Sequence, residues 1–225
     1  MVTQELSFTE EKLFNLKMTY EEYLIWASED IHAEWVHGEV IILMPTKPSH
    51  QRTLKFLYEL LTSFVQLFEL GEVQIAPLEM KLNNSSREPD ILFIATQNQH
   101  RLTVDRLEGP ADLVVEIISN DSVRRDRHDK FKEYREANIP EYWIIDSRPG
   151  KQRADFYYLD EDGDYTLFAT EDDEQVYSQA IKGFWLRPSW IWRAGELDPF
   201  LAFCEMRGLS PEKTQEIQQL LRDGQ

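Results

Sequence analysis

Two periods alternate along the chain. Residues 18–29, MTYEEYLIWASE, place Tyr20, Tyr23, Leu24 and Ala27 on one side of a short helix, with Thr19 as its cap. In AEWVHGEVIILMP the His37-Gly38 pair sits between two apolar runs and predicts a hairpin, after which Pro45 and Pro48 break the chain. From His50 to Glu69 the series Leu54, Leu57, Tyr58, Leu61, Phe64, Val65, Phe68 keeps helical spacing, and Gly71 reads as the stop. Three strand-like runs follow, VQIAPLEMKL (73–82), EPDILFIAT (88–96) and ADLVVEIIS (111–119), separated by NNSSR and by a polar loop holding Gly109-Pro110. NDSVRRDRHDKFKEYREANIP then reads as cap, helix and stop: Asn120, Asp121 or Ser122 can accept the first free amides, and Asn138 to Pro140 ends the run. EYWIIDS is a strand, ADFYYLDEDGDYTLFAT a hairpin around Asp162-Gly163, and further short strands are expected through Ile181 and Trp190.

Strands apolar on both faces need cover on both faces, and EIIS, helix, EYWIID has the length of a crossover between parallel strands. The expected class is therefore α/β, one central mixed sheet with helices against it. With 225 residues, 42% of them apolar, the chain can close one sizeable core. A single domain over 1–225 is expected, its core at about 18–192, with 1–15 and 210–225 peripheral.

Charge and composition narrow the function classes. A net charge of −17 argues against a surface that coats nucleic acid generally. The balance is uneven: residues 124–135 hold six Lys or Arg against three acids, while 155–198 hold eleven acids against three bases. Arg124, Arg125 and Arg127 are thus candidates for a local nucleic-acid contact, set against the plainer reading of a solvated helix face. The single Cys204 permits no internal disulfide or thiolate cluster and reads as a small core residue. The opening residues lack a secretory signal, and no run reaches the roughly eighteen apolar residues of a membrane helix, so a cytoplasmic location is expected.

The chemistry-bearing oddity is a pair of acids in apolar strands. Glu116 shares a strand face with Val114 and Ile118, and Asp90 heads the neighbouring run behind Pro89. Burying a carboxylate alone costs several kcal/mol, so each needs a partner. Two carboxylates meeting at a strand end share either a proton or a divalent cation, and oxygen-only ligation suits Mg2+ or Mn2+. Taken singly, Glu116 reads as the partner of an arginine and Asp90 as a turn cap; the combination favours a cation. On the helix after Glu116, Asp126, Lys130 and Tyr134 recur every four residues, so Lys130 can lean over the strand ends and Tyr134 should face the sheet. Other constellations are weaker. Ser119 has no nucleophile elbow, His32 and His37 lack zinc-ligand spacing, no glycine loop cradles phosphate, and the six Trp read as packing. His50, which opens the long helix after a Pro-rich loop, reads first as a capping or surface residue, with an approach to the site as the alternative.

The linked set EPD (88–90), VVEIIS (114–119), RRDRHDKFKEY (124–134) and IPEYWIID (139–146) resembles the "putative restriction endonuclease" domain family of the PD-(D/E)xK nuclease superfamily, over about Met18 to Trp192. The resemblance implies a restriction-endonuclease-like fold and a magnesium-dependent phosphodiesterase site, with Asp90 and Glu116 as metal-binding acids. Glu34 matches a family glutamate near the first hairpin and would join the acidic cluster. The superfamily lysine two residues after Glu116 is Ile118 here; Lys130 would replace it from the helix, with Lys81 a weaker candidate. The expected activity is cleavage of DNA, and because cutting both strands takes two sites, a homodimer is compatible with it. Two alternatives stay open: a catalytically degenerate module that keeps the fold and binds protein, and hydrolysis of another phosphodiester such as RNA.

Overall fold

The computed structural model describes residues 16–27 and 31–223. Expectations that fall on 1–15 and 28–30 lie outside the described residues.

The N-terminal part is a run of short elements: β1 (Leu16–Lys17), α1 (Tyr20–Trp26), β2 (Ala33–Val36) and β3 (Glu39–Ile42). Thr19 caps α1 as its spacing predicts, in a reciprocal box with Glu22. The β2–β3 turn puts both His37 and Gly38 at positive φ, the geometry a two-residue hairpin asks for.

The long helix α2 (Pro48–Leu67) buries the predicted stripe, and β4 (Gly71–Ile75) follows it. Gly71 is not the helix stop; Glu69 takes the left-handed position instead. A Cβ on Gly71 would lie 2.1 Å from the Ile94 carbonyl, so the glycine serves close approach of two strands.

The expected strand over 73–82 is two strands in two different sheets. Pro77, with no amide to donate, falls between β4 and β5 (Met80–Lys81). The expected NNSSR loop contains β6 (Ser85–Arg87), and β7 (Ile91–Ala95), β8 (Leu107–Glu108) and β9 (Leu113–Ile117) come next. The chain is then helical from Val123, through a π turn at Arg125–Asp129 into α3 (Lys130–Glu136), and Asn138 stops it at positive φ. β10 (Glu141–Asp146), β11 (Arg153–Leu159) and β12 (Tyr165–Thr170) complete the core, with the predicted turn at Asp162-Gly163. β13 (Val176–Tyr177) and β14 (Trp185–Leu186) pair with each other, but Trp190 lies in a short helix, α4 (Pro188–Ile191), rather than a strand. α5 (Pro199–Met206) and α6 (Pro211–Asp223) end the described chain, and only Thr214 of α6 is buried.

The core sheet has the order β12-β11-β10-β9-β7-β4 and is mixed: β9 and β10 are parallel, joined by α3 as their crossover, and the other neighbours are antiparallel. A second six-stranded sheet, β1-β3-β2-β6-β5-β8, gathers the short strands that sequence periodicity could not resolve.

Strand alternation sorts the core into two layers. Ile91, Phe93, Leu113, Val115, Ile117, Trp143 and Ile145 pack against α2. Leu92, Ile94, Val114, Ile118, Tyr142 and Ile144 pack on the opposite face with Tyr134 of α3. Glu116 and Asp90 share the even parity of that second layer and so belong to the face that α3 covers.

Candidate active site

Asp90 and Glu116 come together because β7 runs antiparallel to β9, with Ile91 opposite Val115. The head of one strand thereby meets the far end of the other. The Ile117 amide donates to Asp90 Oδ2 at 2.6 Å, anchoring that carboxylate on the β9 backbone. Asp90 Oδ1 lies 3.0 Å from His50 Nε2. His50 is buried at the start of α2 on the same stripe as Leu54, Leu57 and Leu61. It is not the surface residue expected; extending the apolar stripe one turn toward the N-terminus would have found it.

Glu116 is 3% exposed and its Oε1 accepts from Lys130 Nζ at 2.7 Å and from the Tyr134 hydroxyl at 2.8 Å. Its Oε2 takes no hydrogen bond from the described residues. Lys130 is equally buried and also reaches Glu34 Oε1 at 3.0 Å and Asp126 Oδ1 at 3.7 Å. Burial opposes the charge on Lys130, but Glu116, Glu34 and Asp126 outweigh it and hold its pKa above the ordinary lysine value. Glu116 moves up to about 8: burial is the main cause, Lys130 opposes it, and Asp126, Asp90 and Glu34 add to it.

Glu34 lies within the protein at 0% exposure, not on the hairpin surface. Its Oε2 accepts from Arg87 Nη1 at 2.9 Å, while Oε1 accepts from Lys130 and, at 3.3 Å, from the Glu88 amide. Burial works against its ionisation, yet Lys130, Arg87 and Arg125 together hold it at about 2. With both oxygens engaged, Glu34 is placed as a counter-ion rather than facing an open coordination position. Arg87, which sequence reasoning missed, is fully buried on β6 and also binds Glu133 of α3 through Nε and Nη2. An arginine directly before Glu88 and three residues before Asp90, at the end of an otherwise polar SSR run, is the one trace it left in the sequence.

The basic strip divides. Arg125 lines the cleft, partly exposed, with Nε 3.9 Å from Glu34 Oε2. Arg124 is exposed, and Arg127 is tied to buried Asp155. The three arginines do not form one contact face. Lys81 lies outside the cleft, donating to the Leu82 carbonyl at 2.7 Å and sitting 4.2 Å above the Tyr20 ring. Ile118 is buried, with its amide on the Ile145 carbonyl at 2.8 Å.

These groups surround a cleft of about 100 Å³ whose walls include Glu34, His50, Asp90, Glu116, Arg125, Asp126 and Lys130, with Met44 and Thr46 at the mouth. Six carboxylates of this network (Glu34, Glu88, Asp90, Glu116, Asp126 and Glu133) face three permanent cations, Arg87, Arg125 and Lys130. No three His, Cys, Asp or Glu side chains among the described residues converge as a metal cage. Glu116, whose Oε2 has no partner among the described residues, and Asp90, whose two oxygens each meet a single donor and keep a second lone pair, are nevertheless a donor set that fits Mg2+ or Mn2+, which take one or two carboxylates and keep water on their other positions.

A mixed sheet covered by helices, with one acid at a strand mouth and another inside its neighbour, defines a restriction-endonuclease-like fold. The family model described as "Uma2: Putative restriction endonuclease" matches residues 20–189, and the chain belongs to that family. Among solved structures it is similar to "a putative nuclease belonging to DUF820" from Anabaena variabilis ATCC 29413, with 15% identity and a TM-score of 0.66 over 79% of this chain and 98% of that one. No curated protein matches the chain. No helix among the described residues is long and apolar enough to cross a membrane.

Proposed function

We propose that the cleft is the active site of a divalent-cation-dependent endonuclease that hydrolyses DNA phosphodiester bonds. The observation that carries this reading is the convergence of Asp90 and Glu116 from neighbouring strands with Lys130 2.7 Å from Glu116. Asp90 and Glu116 would hold the cation, Mg2+ or Mn2+, which when bound supplies Lewis acidity toward a phosphoryl oxygen and a water of lowered pKa. Asp90 is kept in place by the Ile117 amide and His50, so its orientation does not depend on the ion. Tyr134 and Lys130 hold Glu116 Oε1, leaving Oε2 toward the cleft. Lys130 keeps a fixed positive charge where negative charge grows on the phosphate. Arg125, whose side chain is partly exposed at the cleft wall, is suited to grip a neighbouring phosphate. Cleavage of both strands of a duplex takes two copies of this site, so a homodimer belongs to the proposal.

Asp90→Ala and Glu116→Gln are expected to abolish Mg2+-dependent cleavage of plasmid DNA while each melts near wild type. Retained cutting in both variants would refute the assignment. Parallel assays on RNA of matched length test the choice of DNA. The rival reading, a non-catalytic module, draws on buried Ile118 at the motif's lysine position. It predicts no stoichiometric Mn2+ binding that depends on Asp90.

A further inference from the structure

Among the described residues, five buried side-chain nitrogen or oxygen atoms find no hydrogen-bond partner, and four of them line the cleft: His50 Nδ1, Glu88 Oε2, Arg125 Nε and Asp126 Oδ1. The fifth, Thr62 Oγ1, is on α2 away from it. A buried polar atom without a partner costs about 1–3 kcal/mol, more if charged. Four around one cavity mark a place where something polar belongs.

Asp126 is the one carboxylate of the four that stands beside two cations without a hydrogen bond to either. It is 1% exposed, and its backbone is fixed at both ends: the amide donates to the Ser122 carbonyl at 2.8 Å and the carbonyl accepts from the Tyr142 hydroxyl at 2.9 Å. Its Oδ1 lies 3.7 Å from Lys130 Nζ and 4.0 Å from Arg125 Nε, neither a hydrogen bond. Lys130 is already engaged by Glu116 and Glu34 at shorter range. The local device that aims Asp126 inward is the π turn, closed by the Lys130 amide on the Arg125 carbonyl. Adding one residue to a helical turn rotates everything before it by about 100° around the axis. Such single-turn insertions are commonly retained at functional sites despite their poorer packing.

We infer that Asp126 is a third carboxylate of the cation site, contributed by the helix turn rather than by the strands, and that it holds a hard divalent ion through water. The inference rests on the cation-dependent reading of the cleft given above. Contact through water agrees with the geometry, since Asp126 does not converge with Asp90 and Glu116 on a single point. The bound waters would donate to Asp126 Oδ1, satisfying that orphan without moving the strands; Glu88 Oε2 already faces His32 Nδ1 at 3.5 Å.

The test is calorimetric titration of the intact, metal-free protein with Mn2+ and no nucleic acid, comparing wild type, Asp126→Asn and Asp126→Glu. Loss of a residue that holds an ion through water lowers metal affinity about 10–100-fold. Asp126→Asn is expected to show that loss, and Asp126→Glu to recover most of it. Wild-type affinity in Asp126→Asn overturns the inference and leaves the nuclease reading standing. Absence of stoichiometric Mn2+ binding by the wild type overturns both. Should Asp126→Asn fail to fold, Mn2+ added to carbon-13 labelled wild type reads the same proximity. The Asp126 carboxyl signal should then broaden away while that of Asp160 stays sharp, and a sharp Asp126 signal refutes the assignment.

Discussion

Replacing Arg87 by Met removes the cation that joins the second sheet to α3. Glu34, at 0% exposure, then keeps Lys130 at 3.0 Å, an ammonium it shares with Glu116 and Asp126, together with the Glu88 amide at 3.3 Å and the more distant Arg125 at 3.9 Å. Its easiest relief is to take up a proton. At pH 7, protonating a carboxyl whose unfolded pKa is about 4.3 costs about 4 kcal/mol, inside the range of about 3–5 kcal/mol for breaking a buried ion pair from one side. Glu133, the other partner of Arg87, is partly in contact with solvent and adds less. At pH 5 the same proton costs only about 1 kcal/mol. In the wild type the signs run the other way. Burial disfavours the Glu34 charge, but Lys130 and Arg87 hold its pKa at about 2, so its stabilisation is complete above the unfolded pKa and is lost as pH falls from there toward 2. Urea denaturation of wild type and Arg87→Met at both pH values should therefore show a stability difference of about 4 kcal/mol at pH 7 that shrinks to between about 1 and 2 kcal/mol at pH 5. A difference that is the same at both pH values, or below about 1 kcal/mol at pH 7, would show that Arg87 does not carry the Glu34 charge.

Two further substitutions test the packing around this frame. Gly71→Ala, whose Cβ would meet the Ile94 carbonyl at 2.1 Å, should destabilise the protein by about 3 kcal/mol, read as a lowered urea midpoint with unchanged slope; an effect within 0.5 kcal/mol, the order of a surface change, would contradict the close approach. Glu141 accepts from Trp143 Nε1, Ser178 Oγ and the amides of Gln179 and Ala180, so Glu141→Gln turns an acceptor into a donor facing donors. A loss of about 2–3 kcal/mol is expected, with faster amide exchange confined to residues 178–181; slow exchange there would remove the clamp from the account.

The long-period and fully apolar elements were legible in the chain. α2, the β9–α3–β10 crossover and the turns at His37-Gly38 and Asp162-Gly163 stand where periodicity and turn chemistry put them. Strand alternation put Glu116 on one face with Val114 and Ile118, and four-residue spacing carried Lys130 toward the strand ends and Tyr134 toward the sheet, where both meet Glu116. What escaped was short or long-range. β5 and β6 are two and three residues long, too brief to show a period, and the second sheet they build depends on partners distant in sequence. Arg87 was missed, and His50 reads first as a capping or surface residue, for a related reason. A buried arginine or histidine has no periodic signature; its meaning comes from the acid it meets, Glu34 and Asp90 here, across 53 and 40 residues of chain. The π turn is likewise invisible in a pattern read at four-residue spacing, which runs straight through Asp126.

The groups around Lys130 arrive from Glu34 near one end of the chain to Tyr134 well past its middle, on elements of both six-stranded sheets. During synthesis, therefore, no product that stops short of α3 contains the whole cluster: the acids of the strands emerge first, and their ammonium partner follows only when α3 leaves the ribosome and docks. The centre proposed above is therefore incomplete until residues 130–134 have been made, well past the middle of the chain.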